Sequence, residues 1–192
     1  MKNEVKTILI VGVGGQGTLL ASKLLGNVLL EEGYDVKISE VHGMSQRGGS
    51  VITYVRYGEN VDAPISDKGI ADIIISFEQL EAARWLPYLK KGGTIIVNTQ
   101  KIDPMPVVTG AAVYPEKIID TLKDADINVI SCDALEKAEQ AGSSKATNVV
   151  LLGIAAKYLN VNLDKFREII KKTVKPAFAD INLKAFELGL TN

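Results

Sequence analysis

The sequence predicts one α/β domain over residues 1–192, with a doubly wound, largely parallel sheet, helices on both faces and a helical C-terminal region. Three observations predict this fold. Short β-branched runs of the kind that is buried on both faces alternate with stretches that carry apolar residues at helical spacing. The first of these runs turns into a helix through a glycine motif. No linker, internal repeat or low-complexity tract divides the chain, and 46% hydrophobic residues suffice for one substantial core.

The chain begins with a βαβ pattern. The run TILIVG, from Thr7, is typical of a strand, and the next stretch carries leucines at helical spacing as far as Gly33. A second strand, YDVKISE, starts at Tyr34 and leads into a glycine-rich polar loop. The alternating segment VITYVRYG, from Val51, predicts another strand after this loop.

The middle of the chain continues the alternation. ADIIISF, from Ala71, is a predicted strand, and EQLEAARWLPYLKKGG is a predicted helix that we expect to end at Gly92 or Gly93. TIIVNT, from Thr94, is a further strand. The stretch DPMPVVTGAAVYPEK, from Asp103, contains three prolines and a glycine, and therefore indicates an excursion from the βα rhythm.

The last third of the sequence is mostly helical. It follows a helix KIIDTLKDA, a strand INVISC and a helix DALEKAEQAG, and it contains SSKATNVVLLGIAAKYLN, NLDKFREIIKKTV and KPAFADINLKAFELG. The tail after Pro176 has weak periodicity. We expect it to pack partly against a partner.

Charge and cysteine content exclude several classes of function. Lys and Arg number 22 against 23 Asp and Glu, so no global positive field would attract a nucleic acid or an anionic membrane. Cys132 is the only cysteine, which excludes a disulfide framework, a cysteine-rich zinc site or an iron–sulfur cluster held by this chain alone. The apolar run at 149–156 falls well short of the ~20 residues of a membrane helix. We expect a cytoplasmic protein.

The glycine motif Gly12-x-Gly14-x-x-Gly17 has the spacing of a dinucleotide-binding turn. Its glycines permit a tight turn and close approach of a ligand, and the helix N-terminus offers free N–H groups to an anion. Glu40 lies where an acidic residue would contact the ribose of NAD. However, no Tyr-x-x-x-Lys pair accompanies the motif. An NAD site, another phosphate ligand or partner contact, and a structural turn all remain open.

A second polar loop follows the second predicted strand, and we expect it to face the glycine turn because loops at the carboxyl ends of such strands line the crevice of this fold. Arg47 could contact a ligand or simply pair with Glu40. The loop combines polar side chains with glycines that permit unusual backbone angles, at His42, Gly43, Ser45, Gln46, Arg47, Gly48 and Gly49.

Two further residues have a structural and a functional interpretation. Asn148 opens the apolar helix after GSSKAT, where Ser143, Ser144 and Thr147 are ordinary capping residues; alternatively, Asn148 and Lys145 face the crevice. For Cys132 we favour packing over a nucleophilic role, since no base or second cysteine is near it in sequence.

Five ordered segments resemble a known family. They are GVGGQGTLLASKLLG, SEVHGMSQRGGSV, FEQLEAARWLPYLKKGG, KATNVVLLG and NLKAFELG, and together they span nearly the whole chain. They resemble the gamma-type subunit of the 2-oxoacid:ferredoxin oxidoreductases. The form HGMSQRGG is most like that of the beta subunits of indolepyruvate ferredoxin oxidoreductases.

The resemblance implies an enzyme subunit that is inactive alone. Such enzymes oxidatively decarboxylate an aryl 2-oxoacid such as indolepyruvate, transfer the acyl group to coenzyme A and pass electrons to ferredoxin. Thiamine diphosphate, Mg and 4Fe-4S clusters are expected on a large partner subunit, because this chain has no Gly-Asp-Gly segment and a single cysteine. The alternatives are a stand-alone Rossmann-like NAD- or FAD-binding oxidoreductase and a nucleotide-sensing module.

The resemblance also implies a role for this chain in completing the active site and helping to bind coenzyme A. The glycine turn would offer backbone donors and Arg47 a charge-assisted contact to phosphate. His42 is a candidate to reach substrate or cofactor, although its neighbours offer no acid or base to fix its protonation. The predicted cofactor-binding residues are Gly12, Gly14, Gly15, Gln16, Gly17, Glu40, Ser45, Gln46, Arg47, Gly48 and Asn148.

Overall fold

The computed structural model describes residues 4–42 and 49–192, without the side chain of His42. Over these residues it contains one six-stranded sheet in the order β2-β3-β1-β4-β5-β6. The strands are β1 (Lys6–Val13), β2 (Asp35–His42), β3 (Ser50–Gly58), β4 (Ala71–Ser76), β5 (Leu89–Asn98) and β6 (Asn128–Cys132). The helices are α1 (Thr18–Glu31), α2 (Gln79–Trp85), α3 (Met105–Val108), α4 (Ile118–Lys123), α5 (Ala134–Ala141), α6 (Thr147–Ala156), α7 (Leu163–Thr173) and α8 (Ala179–Leu190).

The sheet is parallel from β1 through β4 and β5 to β6, and antiparallel where β3 pairs with its two neighbours. This confirms the predicted α/β class with a largely parallel sheet. Strand β2 runs in the direction of β1 but does not touch it, because β3 lies between them. The connection from His42 to Ser50 is too short for a crossover between parallel strands, so β3 returns beside β2 as an antiparallel strand.

Helices cover both faces of the sheet. On one face, Ile8 and Ile10 of β1 pack in a core with α1, α5, α6, α7 and α8. On the other face, Leu9 and Val11 pack in a second core with α2 and α4. Successive strand residues point to opposite faces, so a strand that is covered twice reads as the continuous apolar run ILIV.

The predicted end of helix α2 at Gly92 or Gly93 is wrong. The helix ends at Trp85, and a 3₁₀ turn, Leu86–Tyr88, follows it. Pro87 has no backbone N–H to continue the α-helical ladder. Gly92 and Gly93 lie in β5, where the pairing with β4 shifts register between Ala71 and Ile73 and Gly92 takes a φ of +70°.

The C-terminal tail packs against helices of its own chain, and its partial packing against a partner stays a prediction. Helix α8 crosses α6 closely at Gly153 and Gly189. A Cβ on Gly153 would lie 2.2 Å from the carbonyl oxygen of Phe186, so only glycine fits there. The ring of Phe186 is fully buried and stacks on Phe166 with 4.7 Å between ring centroids. The periodicity is weak because Gly189 and the polar Asn182 occupy part of the buried face of α8.

Candidate functional site

The glycine turn lies at the topological switch point of the sheet. Strands β1 and β4 are adjacent and parallel, yet α1 and α2, which follow them, cover opposite faces. A crevice therefore opens at the carboxyl ends of these two strands, and in open α/β sheets this is where ligands bind.

Among the described residues, no helix combines the length and the apolar character required to cross a bilayer.

Three glycines of the turn, Gly12, Gly15 and Gly17, serve different purposes. A Cβ on Gly12 would lie 2.8 Å from Oε1 of Gln16 and 3.0 Å from Cβ of Phe77, so this glycine lets β1 and the end of β4 come together. Gly17 caps α1 with a φ of +84°, and its Cβ would lie 2.9 Å from Nδ2 of Asn148. Gly15, outside the motif spacing, has a φ of +104°, and a Cβ there would meet nothing within 4 Å. Open space therefore adjoins the turn at Gly15.

The Gln16 side chain fixes the turn to two other strand ends. Its Oε1 accepts the N–H of Val13 at 2.7 Å. Its Nε2 donates to the carbonyl oxygen of Phe77 at 3.0 Å and to Oε1 of Gln100 at 3.1 Å. The side chain predicted as part of a ligand site is thus committed to positioning the turn over β4 and β5.

Asn148 holds the turn from the opposite side. Its side chain is 2% exposed, and Nδ2 donates to the carbonyl oxygen of Gly17 at 3.2 Å. The capping interpretation applies to its neighbour: Ser143 accepts the N–H of Lys145 at 3.3 Å and begins the 3₁₀ turn before α6. The capping interpretation thus applies to Ser143, whereas Asn148 itself contacts the backbone of the glycine turn.

The glycine turn has four candidate backbone donors, at Gly14, Gly15, Gln16 and Gly17, and two of them already have acceptors. The N–H of Gly14 donates to Gly49 O at 2.9 Å, and that of Gln16 donates to Val13 O at 3.2 Å. Within residues 4–42 and 49–192, the N–H groups of Gly15 and Gly17 donate to no acceptor. These two groups, together with the first turn of α1, are available to an anion.

A cleft of about 520 Å³ opens beside these donors. Lys145 is exposed at its edge and forms no ion pair with any described residue. The cleft thus brings together the glycine turn, Lys145 and Asn148, as the sequence suggested. Its lining consists of Gly15, Gln16, Gly17, Leu20, Gln100, Leu135, Ser144, Lys145, Thr147 and Asn148.

An apolar pocket of about 390 Å³ adjoins this cleft, and the two share Leu20 and Lys145. Phe178 and Ile181 line it, and Lys175 lies at its edge. Together the two cavities could take an elongated ligand with an anionic part at the glycine turn and an apolar part against Phe178. Sequence reasoning did not identify this pocket.

Glu40 does not join the glycine turn. Because β3 separates β2 from β1, Glu40 lies two strands away from the motif, at about 10 Å. Its Oε1 accepts the hydroxyl of Thr53 at 3.3 Å, and it lines a different cleft, beside Ile38 and the outer face of α1. In the described structure, the acidic residue of the NAD interpretation is therefore remote from the phosphate turn.

The second polar loop begins and ends beside the glycine turn. The backbone of His42 pairs with Val51, which also pairs with Gly12, and Gly49 accepts the N–H of Gly14. The side chain of His42 and all of Ser45, Gln46, Arg47 and Gly48 lie outside the described residues. The predicted location of the loop ends agrees with the structure, while the contacts of these side chains stay a prediction.

Sequence reasoning missed a buried carboxylate beside the turn. Glu78 follows β4 and is 1% exposed. Its Oε2 accepts the N–H of Glu81 at 3.0 Å, and its Oε1 accepts the N–H of Ile102 at 3.1 Å and the hydroxyl of Tyr114. Burial, followed by this hydrogen bond, raises the pKa of Tyr114 above its ordinary value. A glutamate directly after a buried strand was the available signal.

Residues of other catalytic classes do not gather here. Cys132 is buried, and burial raises the pKa of its thiol, which disfavours the reactive thiolate. Within the described ranges, no group of three or more His, Cys, Asp or Glu side chains is placed to hold a metal ion. The groups that the described part of the site presents are the backbone N–H donors of the turn and the Lys145 ammonium.

Comparisons with known proteins agree with the resemblance seen in the sequence. Residues 7–191 match the family model described as pyruvate ferredoxin/flavodoxin oxidoreductase. Indolepyruvate oxidoreductase subunit IorB of Thermococcus kodakarensis is 45% identical over 190 residues, which cover 95% of this chain and 93% of that protein. The suspected family and the enzyme-subunit class are confirmed.

Solved structures share the fold. The gamma subunit of a keto/oxoacid ferredoxin oxidoreductase from Geobacter sulfurreducens superposes with a TM-score of 0.73 at 21% identity, covering 97% of this chain and 96% of that one. The 2-oxoglutarate:ferredoxin oxidoreductase from Magnetococcus marinus gives a TM-score of 0.75 at 16% identity, and the match covers 98% of this chain but 31% of that longer chain. On the family match and the identity to its relatives, this chain belongs to the pyruvate ferredoxin/flavodoxin oxidoreductase family.

Proposed function

We propose that this chain is the small subunit of a hetero-oligomeric 2-oxoacid:ferredoxin oxidoreductase that converts an aryl 2-oxoacid and coenzyme A to acyl-coenzyme A and carbon dioxide, with the electrons passed to ferredoxin. Indolepyruvate is the proposed substrate, because a relative with 45% identity carries that name. The role proposed for this chain is to bind a phosphate of coenzyme A at the glycine turn.

One observation carries the proposal: the N–H groups of Gly15 and Gly17 share one cleft with the Lys145 ammonium, and none of the three groups has a partner among residues 4–42 and 49–192. Backbone donors at a helix N-terminus and a lysine ammonium are both suited to a phosphate. The adjoining pocket at Phe178 offers an apolar surface to the rest of the molecule. As fold-level analogy, the structure from Magnetococcus marinus was determined with coenzyme A and succinyl-CoA bound.

The redox cofactors do not fit this chain. A 4Fe-4S cluster needs four thiolates, and the single Cys132 is buried in the core. We therefore place the clusters on a larger partner subunit. Because this sequence has no Gly-Asp-Gly segment, we place thiamine diphosphate and its Mg there as well, where thiamine diphosphate would supply the carbanion that allows decarboxylation. The small subunit would complete the cavity and orient the acyl acceptor. The remote position of Glu40 gives no support to a stand-alone NAD or FAD enzyme.

The proposal is tested on the assembled complex. Co-expression with the larger subunit should give a stable complex that reduces a ferredoxin-type acceptor when it receives indolepyruvate and coenzyme A. Lys145→Ala should weaken coenzyme A binding, measured by calorimetry on the complex, by about tenfold, the magnitude of one charge-assisted contact. Lys123→Ala is the matched control, because Lys123 is an exposed lysine on the opposite face of the sheet.

Two results would contradict the proposal. A chain that never associates with a larger oxidoreductase subunit is not such a small subunit. If the complex forms but Lys145→Ala and Lys123→Ala bind coenzyme A equally well, the cleft at the glycine turn is not its phosphate site.

A further inference from the structure

The excursion between β5 and α4 carries an exposed apolar surface. We name residues Pro104–Val113 the apolar loop. Met105, Val108 and Val113 are 66%, 64% and 88% exposed. No charged residue occurs between Asp103 and Glu116. A contiguous exposed apolar stretch without charge is typical of the central part of a protein–protein interface.

The apolar loop has a defined shape of its own. After the one-turn helix α3, the N–H of Thr109 donates to Met105 O at 2.9 Å, and the N–H of Gly110 donates to Val107 O at 3.0 Å. The N–H of Ala112 then donates to Pro106 O at 3.0 Å. These bonds hold Met105 and Val108 on a preformed surface, which reduces the entropy lost on binding.

Both ends of the loop are fixed to one buried carboxylate. Glu78 Oε1 accepts the N–H of Ile102 on the incoming side and the hydroxyl of Tyr114 on the outgoing side. The oxygen of that hydroxyl accepts the N–H of Leu80 at 3.2 Å, and the ammonium of Lys101 lies 5.6 Å from the centre of the tyrosine ring. The loop thus projects from a rigid base beside the start of α2.

The loop also leaves from the wall of the candidate site. Gln100, two residues before Ile102, lines the cleft and accepts the hydrogen bond from Gln16. A subunit that supplies the cofactors to this cleft must approach the carboxyl ends of the parallel strands, where the loop also begins. In the Magnetococcus marinus enzyme, the matching region makes up 31% of a longer chain, so there it is covalently joined to further protein.

From these observations we infer that the apolar loop docks onto the larger oxidoreductase subunit, at the end of the sheet where the cleft opens. The inference rests on the proposed function for the existence of that subunit. It adds the surface that the two subunits share: Met105, Val108 and Val113 insert into an apolar recess of the partner. Exposed apolar anchors on a preorganised base are the residues expected to contribute most to such an interface.

The test compares two double variants of the full chain. Val108→Ser with Val113→Ser alters the loop. Ile65→Ser with Ile70→Ser alters two exposed apolar residues between β3 and β4, at the end of the sheet where the parallel strands begin. The dissociation constant for the separately purified larger subunit is measured by surface plasmon resonance. We expect the loop variant to bind at least about thirtyfold more weakly, and the control within about threefold of the wild type. The Tm of the free chain should stay unchanged in both, because the side chains are exposed.

Three outcomes would overturn the inference, and they differ in what else they affect. Equal binding by the two double variants overturns it and leaves the proposed function intact. Failure of the wild-type chain to bind the larger subunit overturns both. If light scattering shows that the free chain is a dimer and that the loop variant is a monomer, the loop binds a second copy instead.

Discussion

Two regions of the described structure, the crossing of α6 and α8 and the turn after β1, contain glycines for different reasons. At the crossing of α6 and α8, a Cβ on Gly153 or Gly189 would lie 2.2 or 2.1 Å from a backbone carbonyl oxygen. At the turn after β1, a Cβ on Gly15 would meet nothing within 4 Å. The first pair allows two helices to touch, whereas Gly15 adopts a left-handed conformation beside open space. In sequence the two kinds of glycine look alike.

The largest expected effect would come from breaking the crossing. Gly153→Ala should lower the free energy of unfolding by about 3 kcal/mol or more, because the new methyl group must push α8 away from α6. Urea titration measures the change. In the control Gly26→Ala, the nearest atom to the Cβ would be Cδ1 of Ile38 at 2.6 Å, and this end of a flexible side chain can rotate away. The control should change stability by less than about 1 kcal/mol. Similar losses in the two variants would show that the crossing is not tightly packed.

Replacing Asn148 tests whether the turn depends on its buried anchor. Asn148→Asp turns the donor toward Gly17 O into an acceptor, which leaves two oxygens facing each other in a buried place. We expect a loss of about 2 kcal/mol in unfolding free energy and weaker coenzyme A binding by the complex. Asn162→Ala, which removes the capping residue of α7, should cost about 1 kcal/mol and leave coenzyme A binding unchanged. Unchanged binding by Asn148→Asp would show that the anchor does not shape the site.

Gly15→Ala sharpens the comparison from the other side. No atom obstructs the new methyl group, so the cost should be limited to the strained φ, at about 1 kcal/mol. Binding should suffer more than stability, because the methyl group enters the space in which we place the phosphate. Calorimetry on the complex and urea titration of the free chain separate the two effects. A variant that binds coenzyme A like the wild type would contradict the placement.

The smallest expected effect concerns pH. The pKa of Tyr114 is raised in the folded state, so the unfolded chain loses that proton first as the pH rises past about 10. Tyr114 therefore contributes stability below that pH which declines above it. Between about pH 9 and pH 11, the wild type should lose unfolding free energy more steeply than Tyr114→Phe, by less than about 1 kcal/mol. The exposed Tyr158→Phe is the control and should follow the wild type. Parallel curves for wild type and Tyr114→Phe would refute this contribution.

Much of the fold could be predicted because periodicity reports local burial. The run ILIV of β1 and the leucines of α1 identified the first strand and helix. The end of α2 could not be predicted from Gly92, because that glycine belongs to a register shift against β4, a contact distant in sequence. The packing of α8 was missed for the related reason that Gly153 and Gly189 contribute no hydrophobic signal to the face that they bury.

The candidate site was predictable in part. The turn, Lys145 and Asn148 were placed together by the alternation of strands and helices, which brings loops to one edge of the sheet. Glu40 was predicted at the same site from a spacing rule that holds when β1 and β2 are adjacent. Here β3 lies between them, so the rule does not apply. The side chain of Gln16 positions the turn through hydrogen bonds to Phe77 and Gln100, and no local sequence pattern predicts bonds to residues so distant in sequence.

The bond between Asn148 and Gly17 joins residues 131 positions apart. During synthesis, the glycine turn leaves the ribosome long before its anchor does, so the bond between them can form only once α6 has docked. Contacts of such long sequence separation form late, because they close the longest loops. A ligand that needs this bond in place would therefore bind only after nearly the whole chain has folded.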